Sequence, residues 1–189
     1  MNYQAWVANA AKQPMVLENV DLGPLGAEDV EVAVEHCGLC HSDLSVLNND
    51  WGISQYPAVL GHEVIGRVTA VGPNAKGLQV GQRVGVGWSS GSCMHCRQCM
   101  SGNHHLCPQA QFTIIGHRGG FATHIRAHWA WAIPLPEKLN FADAGPLLCR
   151  GHHRLRAAGQ VRQADRPGRH HRHRRAGAHG REVRRRIRL

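Results

Sequence analysis

A mainly β fold, a small barrel or sandwich, is what the first 149 residues of this 189-residue chain predict. Three observations carry that expectation. Short apolar runs alternate with polar residues, glycine, proline and asparagine punctuate them at close spacing, and helical periodicity is weak throughout. The first run, DVEVAVEHCGL at 29–39, sets Val30, Val32 and Val34 on one face of a strand and Glu31 and Glu35 on the other. A second, HEVIGRVTAVG at 62–72, is closed by the turn-forming Gly-Pro-Asn of 72–74. The third, QRVGVGW at 82–88, is too short and too rich in glycine for a helix. No internal repeat accompanies them, and the chemistry is expected at the loops between such strands.

Charge divides the chain in two. Residues 1–149 hold 8 Lys+Arg against 11 Asp+Glu, a net of −3, whereas residues 150–189 hold 14 Arg, no Lys and 2 acidic residues, a net of +12. The overall +9 therefore describes only the second segment. About 150 residues is close to the commonest domain size, so one core is expected in 1–149. The opening MNYQAWVANAAKQPMVLENV has no basic segment ahead of an unbroken apolar run, and nothing later is long enough to cross a bilayer. The expectation is a soluble, cytoplasmic protein with no membrane partner.

Seven cysteines need an account, because a reducing compartment disfavours structural disulfides and leaves metal ligation or catalysis as their usual roles. Four fall in GSCMHCRQCMSGNHHLC as Cys93, Cys96, Cys99 and Cys107. Short loops let such thiolates converge on one tetrahedral ion, and four of them close its shell, so a structural zinc is expected. Unliganded cysteines and an iron–sulfur cluster are the alternatives that spacing leaves open. The other three, Cys37, Cys40 and Cys149, go with HCGLCHSD at 36–43 and GHEVIGRVTAVGPNA at 61–75. A catalytic zinc takes three protein ligands and keeps one position open, which Cys40, His62 and Cys149 would satisfy if folding joined them. Asp43 and Glu63 are carboxylates beside those ligands, able to orient one of them or approach the ion. Ordinary packing of a lone His or Cys is the competing reading.

These residues resemble the zinc-dependent medium-chain alcohol dehydrogenases, in particular the broad-specificity aldehyde reductases similar to cinnamyl alcohol dehydrogenase. The resemblance covers about residues 1–149 and rests on CGLCHSD, the four-cysteine lobe, RGGFATHIRA, AGPLLC and a GHE-x2-G-x5-G-x2-A signature at Gly61, His62, Glu63, Gly66, Gly72 and Ala75. It implies a GroES-like β-barrel catalytic domain with two zinc ions per chain. The catalytic ion would sit on Cys40, His62 and Cys149, with Glu63 an occasional fourth ligand, and Cys37 would be no ligand. Ser42 would begin the proton relay from the alcohol, His41 would lie near the cofactor pyrophosphate, and Trp51 would line the substrate pocket, although Trp51 in the core is an equal reading of the residue alone. Many relatives place the outer relay histidine where this chain has Ser45, which leaves the proton's route to solvent open. The implied reaction passes a hydride between a primary alcohol or aldehyde and NAD(P), in relatives that are homo-oligomeric when intact.

Such enzymes also carry a Rossmann domain, whose G-x-G-x-x-G turn receives the cofactor pyrophosphate. No such motif follows Cys149. Read one base later with CGN arginine codons, Arg150 to Leu155 permit A-G-I-T-V-F, and His170 to Leu189 permit a strand, a dinucleotide-binding glycine turn and an alanine-rich helix. Residues 150–189 are therefore expected to be a disordered, out-of-frame translation of the Rossmann domain's start, leaving 1–149 a truncated catalytic domain inactive alone. The non-enzyme alternative is a zinc-binding module with a basic nucleic-acid-binding arm. It leaves CGLCHSD and GHE unexplained, so no nucleic-acid partner is expected.

Overall fold

Ten strands and three short helices make up residues 2–149, the part of the chain that the computed structural model describes. The expectations for 150–189 lie outside those residues. In chain order the strands are β1 (Asn2–Ala8), β2 (Val16–Asp21), β3 (Asp29–Gly38), β4 (Ala58–Val59), β5 (Glu63–Val71), β6 (Arg83–Val86), β7 (Ser89–Gly91), β8 (Gln111–Phe112), β9 (His124–His128) and β10 (Ala132–Pro134). The helices are α1 (His41–Asn48), α2 (Arg97–Met100) and α3 (Phe141–Ala144). The three apolar runs of the sequence became β3, β5 and β6, adjacent strands of an antiparallel five-stranded sheet in the order β10-β6-β5-β3-β9.

That sheet curls because β3 slips register against β5 twice, between Glu31 and Val32 and between Val34 and His36, and such irregularities bend and twist a strand. A second sheet, β2-β1-β4, closes over it through residues 121–123, where Trp6 N–H donates to Phe121 O at 2.8 Å and Thr123 N–H to Gln4 O at 2.8 Å. The product is a partly closed β-barrel. Its core gathers Val30 and Val32 of β3, Val64 and Val68 of β5, Val84 and Val86 of β6, and Ile125, all at most 1% exposed. A smaller cluster of Ala8, Val46, Ala58, Leu60 and Ile114 seats α1.

One buried carboxylate ties two elements of the barrel together. Glu31 is 6% exposed, and accepts hydrogen bonds from Tyr3 Oη at 2.7 Å and from Arg126 Nε at 3.0 Å and Nη2 at 2.8 Å. Arg126 Nη1 donates in turn to the carbonyls of Leu22, Gly23 and Pro24, so this pair ties the loop after β2 to β9. Burial opposes ionisation of Glu31, but the bonds from Tyr3 and Arg126 outweigh it and hold the carboxyl below its ordinary value. A depressed carboxylate contributes stability above its unfolded pKa and loses it as pH falls through the folded one. Glu31→Gln is expected to cost on the order of 3 kcal/mol at neutral pH. Urea unfolding across pH should show the gap to wild type narrowing in acid; a gap that stays constant would refute this role.

Candidate functional site

Two groups of side chains converge, one on a lobe and one at the end of the five-stranded sheet. The lobe rises from the two-stranded sheet β7-β8 and contains α2 and a 3-10 turn at His104–Leu106. Its sulfurs are 3.9 Å apart for Cys93 and Cys99, 3.6 Å for Cys96 and Cys99, and 3.5 Å for Cys107 and Cys93. A disulfide needs about 2.05 Å. A tetrahedron of sulfurs about 2.3 Å from a central ion has edges of about 3.8 Å, which is the spacing observed. Backbone N–H groups of Cys96 and Gln109 donate to the sulfurs of Cys93 and Cys107 at 3.3 Å each. Bonds from the His95 and Cys96 amides, with the Cys107 thiol, bring Cys93 down to about 6, so it is ready to ligate as a thiolate.

The second group joins the start of α1, the loop between β4 and β5, and a 3-10 turn at Gly145–Leu148. Cys40 caps α1 without helical backbone, and Asp43, one turn on, accepts its N–H at 3.0 Å. The same carboxylate accepts from Gly61 N–H at 3.0 Å and contacts His62 Nδ1 at 3.0 Å. Gly61 has φ +92°, a left-handed conformation, and a Cβ there would lie 2.8 Å from Cys37 Sγ; only glycine brings the chain so close to β3 while aiming His62 inward. His62 is fully buried, and with Nδ1 held by Asp43, its Nε2 has no hydrogen-bond partner. Ligand atoms of Cys40, His62, Glu63 and Cys149 all lie within 4.8 Å of one another, with the two sulfurs 4.0 Å apart. An orphaned imidazole nitrogen beside two thiols and a carboxylate fits a metal.

The electrostatics agree. Burial opposes the Cys40 thiolate, but the Ser42 backbone amide and hydroxyl and the His62 ring outweigh it and lower the thiol. Burial and the neighbouring Cys40 push Cys149 up to about 12, so one of the two sulfurs resists ionising without a cation between them. Burial opposes protonation of His62, yet Asp43 and Cys40 raise it, and burial raises Glu63. Cys37 stands outside the group, pushed up to about 12 by burial.

Residues 26–137 match the family described as the alcohol dehydrogenase GroES-like domain. The chain belongs to this family. It is 50% identical over 149 residues to the aldehyde reductase AdhA of Synechocystis sp., covering 79% of this chain and 44% of that one. The alcohol dehydrogenase of Geobacillus stearothermophilus is 34% identical over 149 residues, with the same 44% of its length covered. The chain thus spans less than half the length of these curated relatives. A cinnamyl alcohol dehydrogenase structure from Sorghum bicolor superposes with a TM-score of 0.81 at 32% identity, over 86% of this chain and 49% of the other. The cinnamyl alcohol dehydrogenase of Helicobacter pylori, solved with NADP(H), shares the fold with a TM-score of 0.77 at 24% identity, over 84% of this chain and 50% of that one.

Within this GroES-like domain the other residues named from the sequence take distinct places. Ser42 stands two residues beyond Cys40 in the first turn of α1, beside an exposed His41, while Ser45 is 4% exposed and faces inward. Trp51 is half-exposed, its ring 6.0 Å from that of Trp88. Sequence reading passed over Trp88, which stands edge-on to the His62 ring at 5.1 Å and so connects Trp51 to the candidate ligands. Its signal was present: QRVGVGW ends in an aromatic where its strand meets a loop. Cavities of about 500 Å³ near Arg118 and about 660 Å³ near Gln79 contain none of these side chains.

Proposed function

We propose that this chain supplies the zinc-binding half of an alcohol dehydrogenase or aldehyde reductase, acting on a primary alcohol or aldehyde with NAD(P) as hydride partner. The observation that carries the reading is the His62 ring, pinned through Nδ1 to Asp43 so that a bare, buried Nε2 faces Cys40 and Cys149. A closed four-thiolate set in the lobe would be structural, whereas two sulfurs and one nitrogen leave a position for a substrate oxygen, with Glu63 at hand as an occasional ligand. Cys40, His62 and Cys149 would hold a zinc ion there, which would supply Lewis-acid polarisation of the alcohol or carbonyl oxygen, with a nicotinamide as the hydride partner.

The protein's own residues do the rest. Asp43 holds the His62 tautomer and orientation, as carboxylates do behind ligating histidines. The Ser42 hydroxyl takes up or returns the alcohol proton. Trp51 and Trp88 wall the substrate side and exclude water. His41, exposed at the start of α1, meets the cofactor's pyrophosphate. The dinucleotide-binding domain belongs outside the described residues, and we place the boundary after Cys149, with 150–189 its out-of-frame beginning and the chain as written inactive alone. No helix among the described residues is long and apolar enough to cross a membrane.

Metal content tests the ligand sets. Two zinc ions per chain are expected, and dialysis against a chelator should strip the Cys40, His62 and Cys149 ion first, because its ligands come from distant segments while the lobe closes locally. Cys40→Ser should hold one ion and Cys99→Ser should lose the tighter one. Variants that keep both ions would sink the assignment.

A further inference from the structure

Cys149 must be delivered to Cys40 and His62 by a stretch that has left the sheet, and one strand prepares its path. Arg83, the first residue of β6, is 7% exposed. Its Nη1 donates to Glu137 O at 2.7 Å and its Nη2 to Leu139 O at 2.6 Å, gripping the turn ahead of α3. The guanidinium carbon lies 3.8 Å from the centroid of the Phe141 ring, the first residue of that helix, and His36 of β3 meets the same ring edge-on at 6.1 Å. Arg67 stands farther out at 5.7 Å. Beyond α3, Leu148 rests on a glycine floor made by the same strand and the residue after it. A Cβ at Gly85 would lie 2.8 Å from Leu148 Cδ1, and one at Gly87 2.9 Å from Leu148 O. Cys149 is the next residue.

The chemistry of the grip is particular to arginine. A planar fork reaches two carbonyls at once while its face stacks on an aromatic ring, and a lysine ammonium does neither together. The carbonyls of Glu137 and Leu139 fix where α3 begins, the Phe141 ring fixes its rotation, and the glycine floor sets the depth at which the 3-10 turn ends.

We propose that Arg83 is the positioning residue for Cys149, acting through Phe141 and the glycine floor of β6 to set that sulfur against Cys40 and His62. The proposal rests on the reading of those three residues as metal ligands.

The test uses the full 189-residue chain, with zinc kept in the four-cysteine lobe and the second site reloaded with Co2+, in wild type and in Arg83→Lys, Phe141→Leu and Cys149→Ser. The readouts are the cobalt dissociation constant and the thiolate-to-cobalt charge-transfer absorption, which counts the sulfurs bound. Arg83→Lys and Phe141→Leu are expected to weaken cobalt binding on the order of tenfold and to move the absorption toward that of Cys149→Ser, with lobe zinc retained. Phe141 belongs to none of the three core clusters, so Phe141→Leu decides the matter if Arg83→Lys disturbs the barrel. Wild-type affinity and absorption in both variants, alongside loss in Cys149→Ser, would overturn the positioning role. Wild-type absorption in Cys149→Ser itself would sink the ligand reading, and the proposal with it.

Discussion

Deleting one base at codon 150, in a gene that keeps its downstream sequence, is expected to turn a chain without NAD(P)H-dependent aldehyde reduction into one that has it. On the proposed reading the residues gathered around His62 would bind and orient a carbonyl, but none of them carries a hydride, and the donor must be held within reach of the substrate carbon for transfer to occur. The contrast should approach all or none. Cys40→Ser in the repaired protein is then expected to lower kcat/KM by several orders of magnitude with the fold largely intact, because the proposed open site would lose a ligand while the three core clusters contain neither Cys40 nor His62. Oxidation of NADPH with an aldehyde, followed by absorbance, decides both arms. Reduction by the unrepaired chain, or downstream DNA with no Rossmann continuation in the shifted frame, would defeat the frame reading.

Replacing Cys107 by Ser should unfold the lobe and leave the barrel standing. Between 93 and 107 only Cys99 and Cys107 are buried; of the larger apolar side chains there, Met100 at 76% and Leu106 at 56% face solvent and Met94 is only partly buried. No residue of that stretch belongs to a core cluster. Apart from the His104–Trp131 ring contact at 5.3 Å, little apolar surface there is removed from water, so metal ligation is expected to supply most of what offsets the entropy of ordering these loops; structural zinc contributes about 10 kcal/mol or more in small metal-bound domains. Hydrogen exchange should therefore become fast across 93–107 in Cys107→Ser, or in wild type with a strong chelator, while the amides of β3, β5 and β6 stay protected. Persistent slow exchange in the lobe after metal removal would show that packing holds it.

The strands that alternate cleanly were legible in the sequence. Val30, Val32, Val64, Val68, Val84 and Val86 sit at period two within their runs and fill the barrel core. In β1, Trp6 faces solvent at 49% exposure between buried Ala5 and Val7, so large and small apolar residues follow one another and mask the alternation. The eight-residue helix α1 escaped notice because HSDLSVLN buries Asp43, Ser45 and Val46 rather than an apolar stripe, and its start depends on a cap supplied by Cys40 and Asp43. The lobe's four cysteines announced themselves by spacing. Residue type alone offered Cys40, His62 and Cys149 only as a set that folding would have to join, with ordinary packing as the competing reading, since no local rule brings residues so distant in the chain to one point; the family resemblance is what made the set specific and left Cys37 out of it. Trp88 and Arg83 were missed for a related reason: each touches a ring that only the folded sheet brings to it.

The two ligand sets differ also in when they can exist. The sulfurs of Cys93 and Cys107 are 14 residues apart, whereas those of Cys40 and Cys149 are separated by 109. Closing the longer loop costs about 2 kcal/mol more in chain entropy alone, and during synthesis it must also wait for Cys149 to leave the ribosome. A metal bound by the four lobe cysteines could be captured while the strands that follow are still being made. On the proposed ligand sets the second site is incomplete until Leu148 and Cys149 have reached β6, so a nascent chain is expected to take up metal at the lobe first and at Cys40, His62 and Cys149 only once the barrel has closed.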